Sequence, residues 1–202
     1  MKKLFLIRHG VTEQNGQRLY CGVTDVYLSS EGCRQAQILA QFLNKEKITS
    51  IYTSPLKRCM ATATAIAQSH GIQAGSLHGL SEIDFGQWEG LTFDEIQTCY
   101  PEQITNWFEN PNTFVFPGGE SVKDFGSRVL DSLDRILAGN GDTVVVGHGG
   151  SLRFIICHLC GWGMNSLYSF ELEPASVTVL EHYEKSTIVR VLNDTCHLKT
   201  ER

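Results

Sequence analysis

The 202-residue sequence has no apolar stretch long enough to span a bilayer and no surplus of positive charge. A transmembrane helix needs about 20 apolar residues in a row, whereas the apolar run after Lys3 ends at Arg8. That run is also too short for a secretory signal, so we interpret it as the first strand of a soluble globular protein. The net charge of −5 argues against nucleic acid or membrane as the main partner, because both bind positively charged surfaces.

The sequence also lacks a disulfide pattern. Its seven cysteines are an odd number, and only Cys157 and Cys160 lie close together. Scattered cysteines are typical of a reducing compartment, so we expect a cytoplasmic protein. The close pair could hold zinc or form a redox disulfide, but no second pair completes a tetrahedral site and the surrounding run is apolar and helix-like. We therefore predict that the pair packs within a helix.

Short apolar runs alternate with longer helical patterns, without an internal repeat or a linker. This alternation predicts one α/β domain over 1–202, a three-layer α/β/α sandwich whose mostly parallel sheet has helices on both faces. We expect strands over 3–8, 50–53, 143–147, 177–182 and 187–192, with a weaker strand around Leu77 and a hairpin formed by the last two. We expect helices over 30–44, 56–70, 121–138 and 150–159, the first capped by Ser29 or Ser30.

The regular pattern loosens between Glu82 and Glu120, where prolines and aromatic residues accumulate. We expect short helices and loops there, forming a cap-like insertion over about 82–120 that covers the site. The sequence leaves open whether Trp107 and Phe116 in this stretch stack on a ligand or only pack inside the cap.

Two similar phrases each carry an apolar run into a histidine and a glycine: Leu6-Ile7-Arg8-His9-Gly10 and Val145-Val146-Gly147-His148-Gly149. Each is typical of a buried strand that ends in a loop, and the carboxyl ends of neighbouring strands form the ligand sites of open α/β sheets. We therefore predict that His9 and His148 meet at one site, which Arg8 makes cationic.

Five motifs in order resemble the histidine phosphatase, or phosphoglycerate mutase-like, superfamily. They are Leu6-Ile7-Arg8-His9-Gly10, Ser54-Pro55-Leu56-Lys57-Arg58 with Thr62-Ala63, Leu80-Ser81-Glu82 through Gly86-Gln87-Trp88-Glu89-Gly90, Gly118-Gly119-Glu120-Ser121, and Gly147-His148-Gly149. The resemblance runs nearly from end to end. It implies a phosphomonoester as the small-molecule substrate, no metal or other cofactor, and a monomer or homodimer.

The resemblance implies that His9 attacks phosphorus and becomes a phosphohistidine. Arg8 and Arg58 would bind the phosphoryl oxygens through paired guanidinium donors, which lysine cannot supply. On the sequence alone Lys57 and Arg58 are equally eligible, and the family pattern selects Arg58. Both arginines, together with His148 where it is protonated, would lower the pKa of His9 and keep it nucleophilic.

The family assigns proton transfer to the glutamate of the Leu-x-Glu phrase, which is Glu82. A protonated carboxyl gives its proton to the leaving oxygen, and the carboxylate later accepts one from the attacking water. Asp84 and Glu89 lie close by and compete for this role.

Other residues are expected around the phosphate. His148 and the backbone N–H of Gly149, near a helix start, would complete the phosphate cradle. Thr12 and Asn15 would bond the phosphate or position the loop. Cys21 and Gly22 lie in a further candidate binding segment, where Gly22 would let the backbone approach the substrate.

The choice between mutase and phosphatase depends on missing residues. The family's glycerate mutases bind the substrate carboxylate with a lysine and an arginine pair, yet no Lys or Arg occurs between Glu82 and Glu120, and Asn106-Trp107-Phe108-Glu109 stands at the arginine pair. The aromatic cap suits a larger, less charged organic group. The length and the Gly118-Gly119-Glu120-Ser121 phrase resemble alpha-ribazole-5'-phosphate phosphatases of cobalamin (cobamide) biosynthesis, our first expectation. A broad-specificity phosphatase or a phosphoglycerate mutase is the alternative.

Two hypotheses of other classes remain. A non-catalytic phospholigand-binding module would fit a chain that had lost His9 or Glu82, and both are present. A metal-dependent phosphatase would use His and carboxylate ligands, but guanidinium groups rarely stand among metal ligands.

Overall fold

The structure is a computed structural model that describes residues 1–199, with a six-stranded sheet at its centre. The strands are β1 (Lys2–Arg8), β2 (Ile48–Thr53), β3 (Ala74–Ser76), β4 (Asp142–Gly147), β5 (Val177–Tyr183) and β6 (Ser186–Asp194). They lie in the order β3-β2-β4-β1-β5-β6, in which the first four strands are parallel and the last two pairings are antiparallel. The predicted mostly parallel sheet and the β5-β6 hairpin are confirmed. Residues 200–202, the end of the predicted domain, lie outside the described residues.

The helices within residues 1–199 are α1 (Glu13–Gly16), α2 (Ser30–Leu43), α3 (Lys57–His70), α4 (Phe93–Cys99), α5 (Pro101–Glu109), α6 (Val122–Ala138) and α7 (Gly149–Cys160). The four predicted long helices are present, each with small shifts at its ends. Ser29 is the cap of α2, because its hydroxyl accepts the N–H of Gly32 at 3.1 Å. The strand expected around Leu77 ends one residue earlier, as β3. None of these helices is long and apolar enough to cross a membrane.

Two hydrophobic cores, one on each face of the sheet, hold the layers together. Successive residues of β1 point to opposite faces, so Phe5 and Ile7 pack with α2 and α3. Leu4 and Leu6 pack with α6, α7 and the segment before α6. The predicted α/β/α sandwich is therefore confirmed.

The segment between Glu82 and Glu120, called the cap below, consists of short helices and loops, as the sequence predicts. It contains α4, α5 and a 3-10 turn at Gly86–Trp88. Trp88 is fully buried, and the rings of Trp107, Phe114 and Phe116 surround it at centroid distances of 5.2 to 5.6 Å. The aromatic residues thus supply the core of the cap.

The Cys157–Cys160 pair lies in the last turn of α7, as the sequence predicts. Cys157 is buried in the core and Cys160 packs against it. All seven cysteines, each within residues 1–199, are free thiols.

Candidate active site

The carboxyl ends of three adjacent parallel strands, β2, β4 and β1, meet at one edge of the sheet. His9 follows β1 there, and His148 follows β4. The N–H of His9 donates to the carbonyl of Gly147 at 3.0 Å, which joins the two histidine-bearing loops. A cavity of about 990 Å³ opens at this edge. All five predicted catalytic residues line it: Arg8, His9, Arg58, Glu82 and His148.

The two histidines meet as predicted, with ring centroids 5.2 Å apart. Nδ1 of His9 lies 2.8 Å from the carbonyl oxygen of Gly10. A carbonyl only accepts, so Nδ1 carries the proton and Nε2 holds the lone pair of the neutral ring. Burial, and then the charges of Arg8 and Arg58, hold the pKa of His9 well below its usual value. His9 is therefore a neutral imidazole at neutral pH, with its lone pair on Nε2.

His148 is bonded through both ring nitrogens. Its Nδ1 accepts from Nε of Arg58 at 3.3 Å, and its Nε2 lies 2.9 Å from the hydroxyl of Ser54. The neutral ring therefore carries its proton on Nε2 and donates it to Ser54. Burial and the adjacent Arg58 hold the pKa of His148 well below its usual value. Of the two protonation states that the sequence left open for His148, the structure favours the neutral ring in the free protein, because a buried ring beside a guanidinium disfavours a second positive charge.

Arg58, the second residue of α3, is buried in the cavity wall. Its Nη1 donates to the carbonyl of Thr24 at 2.7 Å and its Nη2 to the carbonyl of Gly22 at 2.6 Å. Lys57 points elsewhere, since its ammonium pairs with the exposed carboxylate of Asp25 at 3.3 Å. The structure thus brings Arg58, and not Lys57, to the two histidines.

Arg8 presents an unpartnered donor. Its Nη1 donates to the carbonyl of Leu172, but its Nε is buried and has no hydrogen-bond partner within residues 1–199. A buried donor without an acceptor is costly, so a ligand oxygen beside this nitrogen would be stabilising. Gly149 lies next to the guanidinium, because a Cβ on Gly149 would stand 3.8 Å from Nε and Cζ of Arg8.

Glu82 is the one carboxylate of the three candidates that lines the cavity. Its Oε2 accepts the N–H of Gly150 in the first turn of α7 at 2.8 Å. A Cβ on Gly150 would lie 2.4 Å from Oε1 of Glu82, so a larger residue there would displace this carboxylate. Asp84 instead accepts the N–H of Gly86 in a turn.

Glu89, the third candidate, faces the backbone of a loop. Its carboxylate accepts the N–H groups of Gly22, Val23 and Thr24. This contact requires a glycine at position 22, because a Cβ there would lie 1.9 Å from the carbonyl oxygen of Ile83 and 2.4 Å from Oε1 of Glu89. The structure thus gives Gly22 a further reason to be glycine, which is the close approach of its backbone to Ile83 and Glu89. Cys21, one residue earlier, does line the cavity.

Thr12 and Asn15 form a reciprocal cap on α1. Oδ1 of Asn15 accepts the N–H of Thr12 at 2.9 Å, and the hydroxyl of Thr12 accepts the N–H of Asn15 at 3.3 Å. Both residues line the cavity. Of the two predicted uses, positioning of the loop is the one that these bonds support.

Two arginines that the sequence did not single out also serve the site. Arg128 of α6 pairs with Glu120 at 2.7 Å and donates to the carbonyl of Glu82 at 2.9 Å, so it ties down the backbone of the acid candidate. Arg153 of α7 lines the cavity and donates to the carbonyls of Gly149 and Leu167. The position of Arg128 three residues after Phe125, on the apolar face of its helix, was a usable signal.

The rest of the cavity wall combines aromatic and charged groups. Tyr20, Phe85, Trp107, Phe116 and Tyr168 line it together with Arg18, Lys199, Glu171 and Glu173. Within residues 1–199 no three His, Cys, Asp or Glu side chains are grouped so that they could hold a metal ion. The arrangement as a whole offers a neutral nitrogen nucleophile, two guanidinium groups and a carboxylate around one space, which suits transfer of a phosphoryl group.

Comparison with known proteins agrees with this chemistry. A protein-family model described as "Histidine phosphatase superfamily (branch 1)" matches residues 4–195. Phosphoserine phosphatase 1 of Hydrogenobacter thermophilus is 37% identical over 200 residues, which cover 98% of this chain and 95% of that protein.

Solved structures extend the match. The alpha-ribazole phosphatase of Shigella flexneri has a TM-score of 0.87 at 26% identity, over 95% of this chain and 96% of that one. A mutant phosphoserine phosphatase of Entamoeba histolytica, in complex with phosphoserine, has a TM-score of 0.86 at 29% identity, over 98% of this chain and 100% of that one. The chain belongs to the histidine phosphatase superfamily and has the fold and phosphatase chemistry of that family.

Proposed function

We propose that this chain hydrolyses phosphomonoesters through a phosphohistidine on His9. The observation that carries the proposal is the tautomer of His9: the carbonyl of Gly10 engages Nδ1, and no hydrogen bond within residues 1–199 engages Nε2. A lone pair on Nε2, beside the unpartnered Nε of Arg8, suits attack on a bound phosphoryl group.

In the first step of the proposed mechanism, Nε2 of His9 forms a bond to phosphorus while the bond from phosphorus to the ester oxygen breaks. The departing oxygen takes the proton of the Glu82 carboxyl. In the second step water attacks phosphorus, the phosphorus–nitrogen bond breaks, and the Glu82 carboxylate accepts a proton from that water. Arg8 and Arg58 stabilise the charge on the phosphoryl oxygens in both steps.

We assign the remaining contacts to the phosphate cradle. The N–H of Gly149 points from the start of α7, where the helix dipole favours an anion. Asn15 and Cys21 line the same wall. We further propose that residues 1–202 act as one domain, in which the cap formed by segment 82–120 covers the organic part of the substrate.

The test of the mechanism is to stop turnover of a ³²P-labelled ester with alkali and denaturant and to look for label on the protein. Wild type is expected to yield a label that is labile in acid and stable in base, as a phosphohistidine is, and His9→Ala is expected to yield neither label nor turnover. Near-normal hydrolysis by His9→Ala would refute the proposal. If wild type hydrolysed no ester, and His9→Ala bound orthovanadate as well as wild type does, a non-catalytic binding module would be favoured.

For the substrate we propose alpha-ribazole 5'-phosphate first. The supporting observation is the aromatic wall beside the cradle, where Tyr20, Phe85 and Trp107 line the cavity. A flat nucleoside-like base gains by packing on such rings. An alpha-ribazole phosphatase is also among the structures that this chain matches.

Phosphoserine is the second candidate, and a specific group favours it. The guanidinium of Arg153 is fixed by two backbone carbonyls and lies 5.8 Å from the ring centre of Tyr168. No hydrogen bond or ion pair within residues 1–199 engages its Nη2, so this nitrogen can bind the carboxylate of a small substrate. The sequence argument against small anions considered only the cap, and Arg153 comes from α7.

One panel separates the candidates. Initial rates of phosphate release are measured, in chelator, for alpha-ribazole 5'-phosphate, phosphoserine, mononucleotides and 3-phosphoglycerate, with the mutase reaction followed in parallel. A kcat/KM that is highest for the ribazole ester supports the first proposal, and a phosphoserine preference supports the second. Flat rates would identify a broad-specificity phosphatase, whereas interconversion of phosphoglycerates would identify a mutase.

A further inference from the structure

The loop from Cys21 to Asp25 lies between two opposite charges. On one side Arg58 donates to the carbonyls of Gly22 and Thr24 at 2.6 and 2.7 Å. On the other side the carboxylate of Glu89, in the cap, accepts the N–H groups of Gly22 at 2.9 Å, Val23 at 3.1 Å and Thr24 at 3.3 Å, and the hydroxyl of Thr24 at 2.5 Å. The loop thus connects the cap to the phosphate cradle.

Peptide geometry explains how the loop transmits orientation. In a planar trans peptide the N–H and the C=O point in opposite directions. The unit that joins Gly22 to Val23 donates its N–H to Glu89 and offers its C=O to Arg58. The preceding unit, between Cys21 and Gly22, does the same, with its C=O 3.5 Å from Nη2 of Arg58. Two peptide dipoles are therefore aligned between the carboxylate and the guanidinium.

The carboxylate is well suited to hold these units. Successive backbone N–H groups form a concave anion site, and hydrogen bonds to a charged acceptor are stronger than neutral ones. Oε1 also accepts the N–H of Phe85 at 3.3 Å, which anchors the carboxylate to its own segment. The absence of a Cβ at Gly22 permits the close approach, since that atom would stand 2.4 Å from Oε1.

We propose that Glu89 is a positioning residue for the phosphate cradle: it orients the peptide units of Cys21–Val23, and their carbonyls hold the guanidinium of Arg58 beside the two histidines. The inference rests on the proposed role of Arg58 in binding phosphate. Glu89 is not among the residues that line the cavity, and its partners are the loop and Phe85. It therefore acts through Arg58 and not on the reacting atoms.

The experiment is a double-mutant cycle with orthovanadate as the phosphoryl analogue, its Kd measured by isothermal titration calorimetry. Glu89→Ala is expected to weaken binding about tenfold when Arg58 is present, and less than about twofold in the Arg58→Ala background, because residues that act as one unit are non-additive. The matched control is Glu95→Ala, which removes a carboxylate of the same cap whose hydrogen bonds within residues 1–199 are all to Thr92. Glu95→Ala should leave the Kd unchanged.

The outcomes separate the two proposals. Equal weakening by Glu89→Ala in both backgrounds, or none in either, overturns the role of Glu89. If Arg58→Ala itself leaves the Kd unchanged, the proposed role of Arg58 fails first. If Glu89→Ala does not fold, Thr24→Val is used instead, because it removes one of the bonds to Oε2 of Glu89. We expect a smaller loss of affinity for orthovanadate, which again disappears in the Arg58→Ala background. If Glu89 were instead the proton donor, the drop in turnover caused by Glu89→Ala would depend on the leaving group of the ester. That result would overturn this inference.

Discussion

The Nε–H of Arg58 donates to Nδ1 of His148 across 3.3 Å, inside a wall where both residues are about 1% exposed. This bond requires an unprotonated Nδ1, so the two side chains together carry one positive charge and not two. Arg58 is held by the carbonyls of Gly22 and Thr24, and His148 by the hydroxyl of Ser54. The proposed phosphate cradle is therefore held in place by contacts within the protein itself.

The first prediction concerns pH and stability. His9 and His148 have pKa values held well below the usual value of about 6.5, so the folded protein keeps both rings neutral where the unfolded chain takes up protons. Their contribution to stability is present above pH 6.5, and the free energy of unfolding should fall as the pH drops below it. Each histidine adds a slope of up to about 1.4 kcal/mol per pH unit.

Urea unfolding at a series of pH values measures that slope. In His148→Gln the free energy of unfolding should fall less steeply below about pH 6.5 than in wild type. The difference in slope should correspond to uptake of up to one proton on unfolding. An identical slope in the two proteins would mean that His148 is not held neutral by the fold.

The second prediction distinguishes two neighbouring cations. Arg58→Ala should lower kcat/KM by about 10²- to 10³-fold, the cost of removing a donor aimed at developing charge. Lys57→Ala should change it less than about twofold, because an exposed ion pair contributes little. Steady-state kinetics on the best ester of the panel gives both values. Comparable losses in the two variants would contradict the placement of Arg58 alone at the phosphate.

The third prediction concerns the proton donor. Glu82→Gln should lower kcat by about 10²- to 10⁴-fold for an alkyl phosphate, whose oxygen needs a proton to leave. Phosphohistidine formation from 4-nitrophenyl phosphate, measured as a nitrophenol burst, should be much less affected because nitrophenolate leaves without one. Asp84→Asn is the control, since Asp84 bonds only the turn at Gly86. An equal fold-loss in kcat for the alkyl ester and in the burst rate for the nitrophenyl ester would remove Glu82 from this role.

Much of the framework followed from local patterns. The runs that end at Arg8 and Gly147 are apolar on both faces and stop at glycine-containing loops, which is the signature of buried parallel strands. Parallel strands share one carboxyl edge, so the meeting of His9 and His148 followed from topology. The helices could be placed because their apolar periodicity and caps are encoded within a few residues.

The features of the site that could not be predicted from the sequence depend on contacts between distant segments. The proton position on His148 depends on Arg58 and Ser54, which lie 90 and 94 residues away. The sequence suggests that Gly22 makes room for the substrate, whereas the atoms that a Cβ would meet belong to Ile83 and Glu89. Arg153 lines the cavity from α7, about 70 residues beyond Glu82 in sequence, so no pattern within the cap indicates it.

The fourth prediction tests that overlooked arginine. Arg153→Gln removes a guanidinium of the cavity wall whose Nη2 has no partner within residues 1–199, and a charge-assisted hydrogen bond to a carboxylate contributes about 1.5–3 kcal/mol. If phosphoserine is a substrate, its kcat/KM should fall at least about tenfold more than that of alpha-ribazole 5'-phosphate, which has no carboxylate. Arg153→Lys should recover only part of the loss, because an ammonium cannot reproduce the fork. Arg135→Gln, a charge removed from the exposed face of α6, is the control. An equal loss for both esters would mean that Arg153 serves the phosphate or the fold of α7, and phosphoserine would lose its structural support.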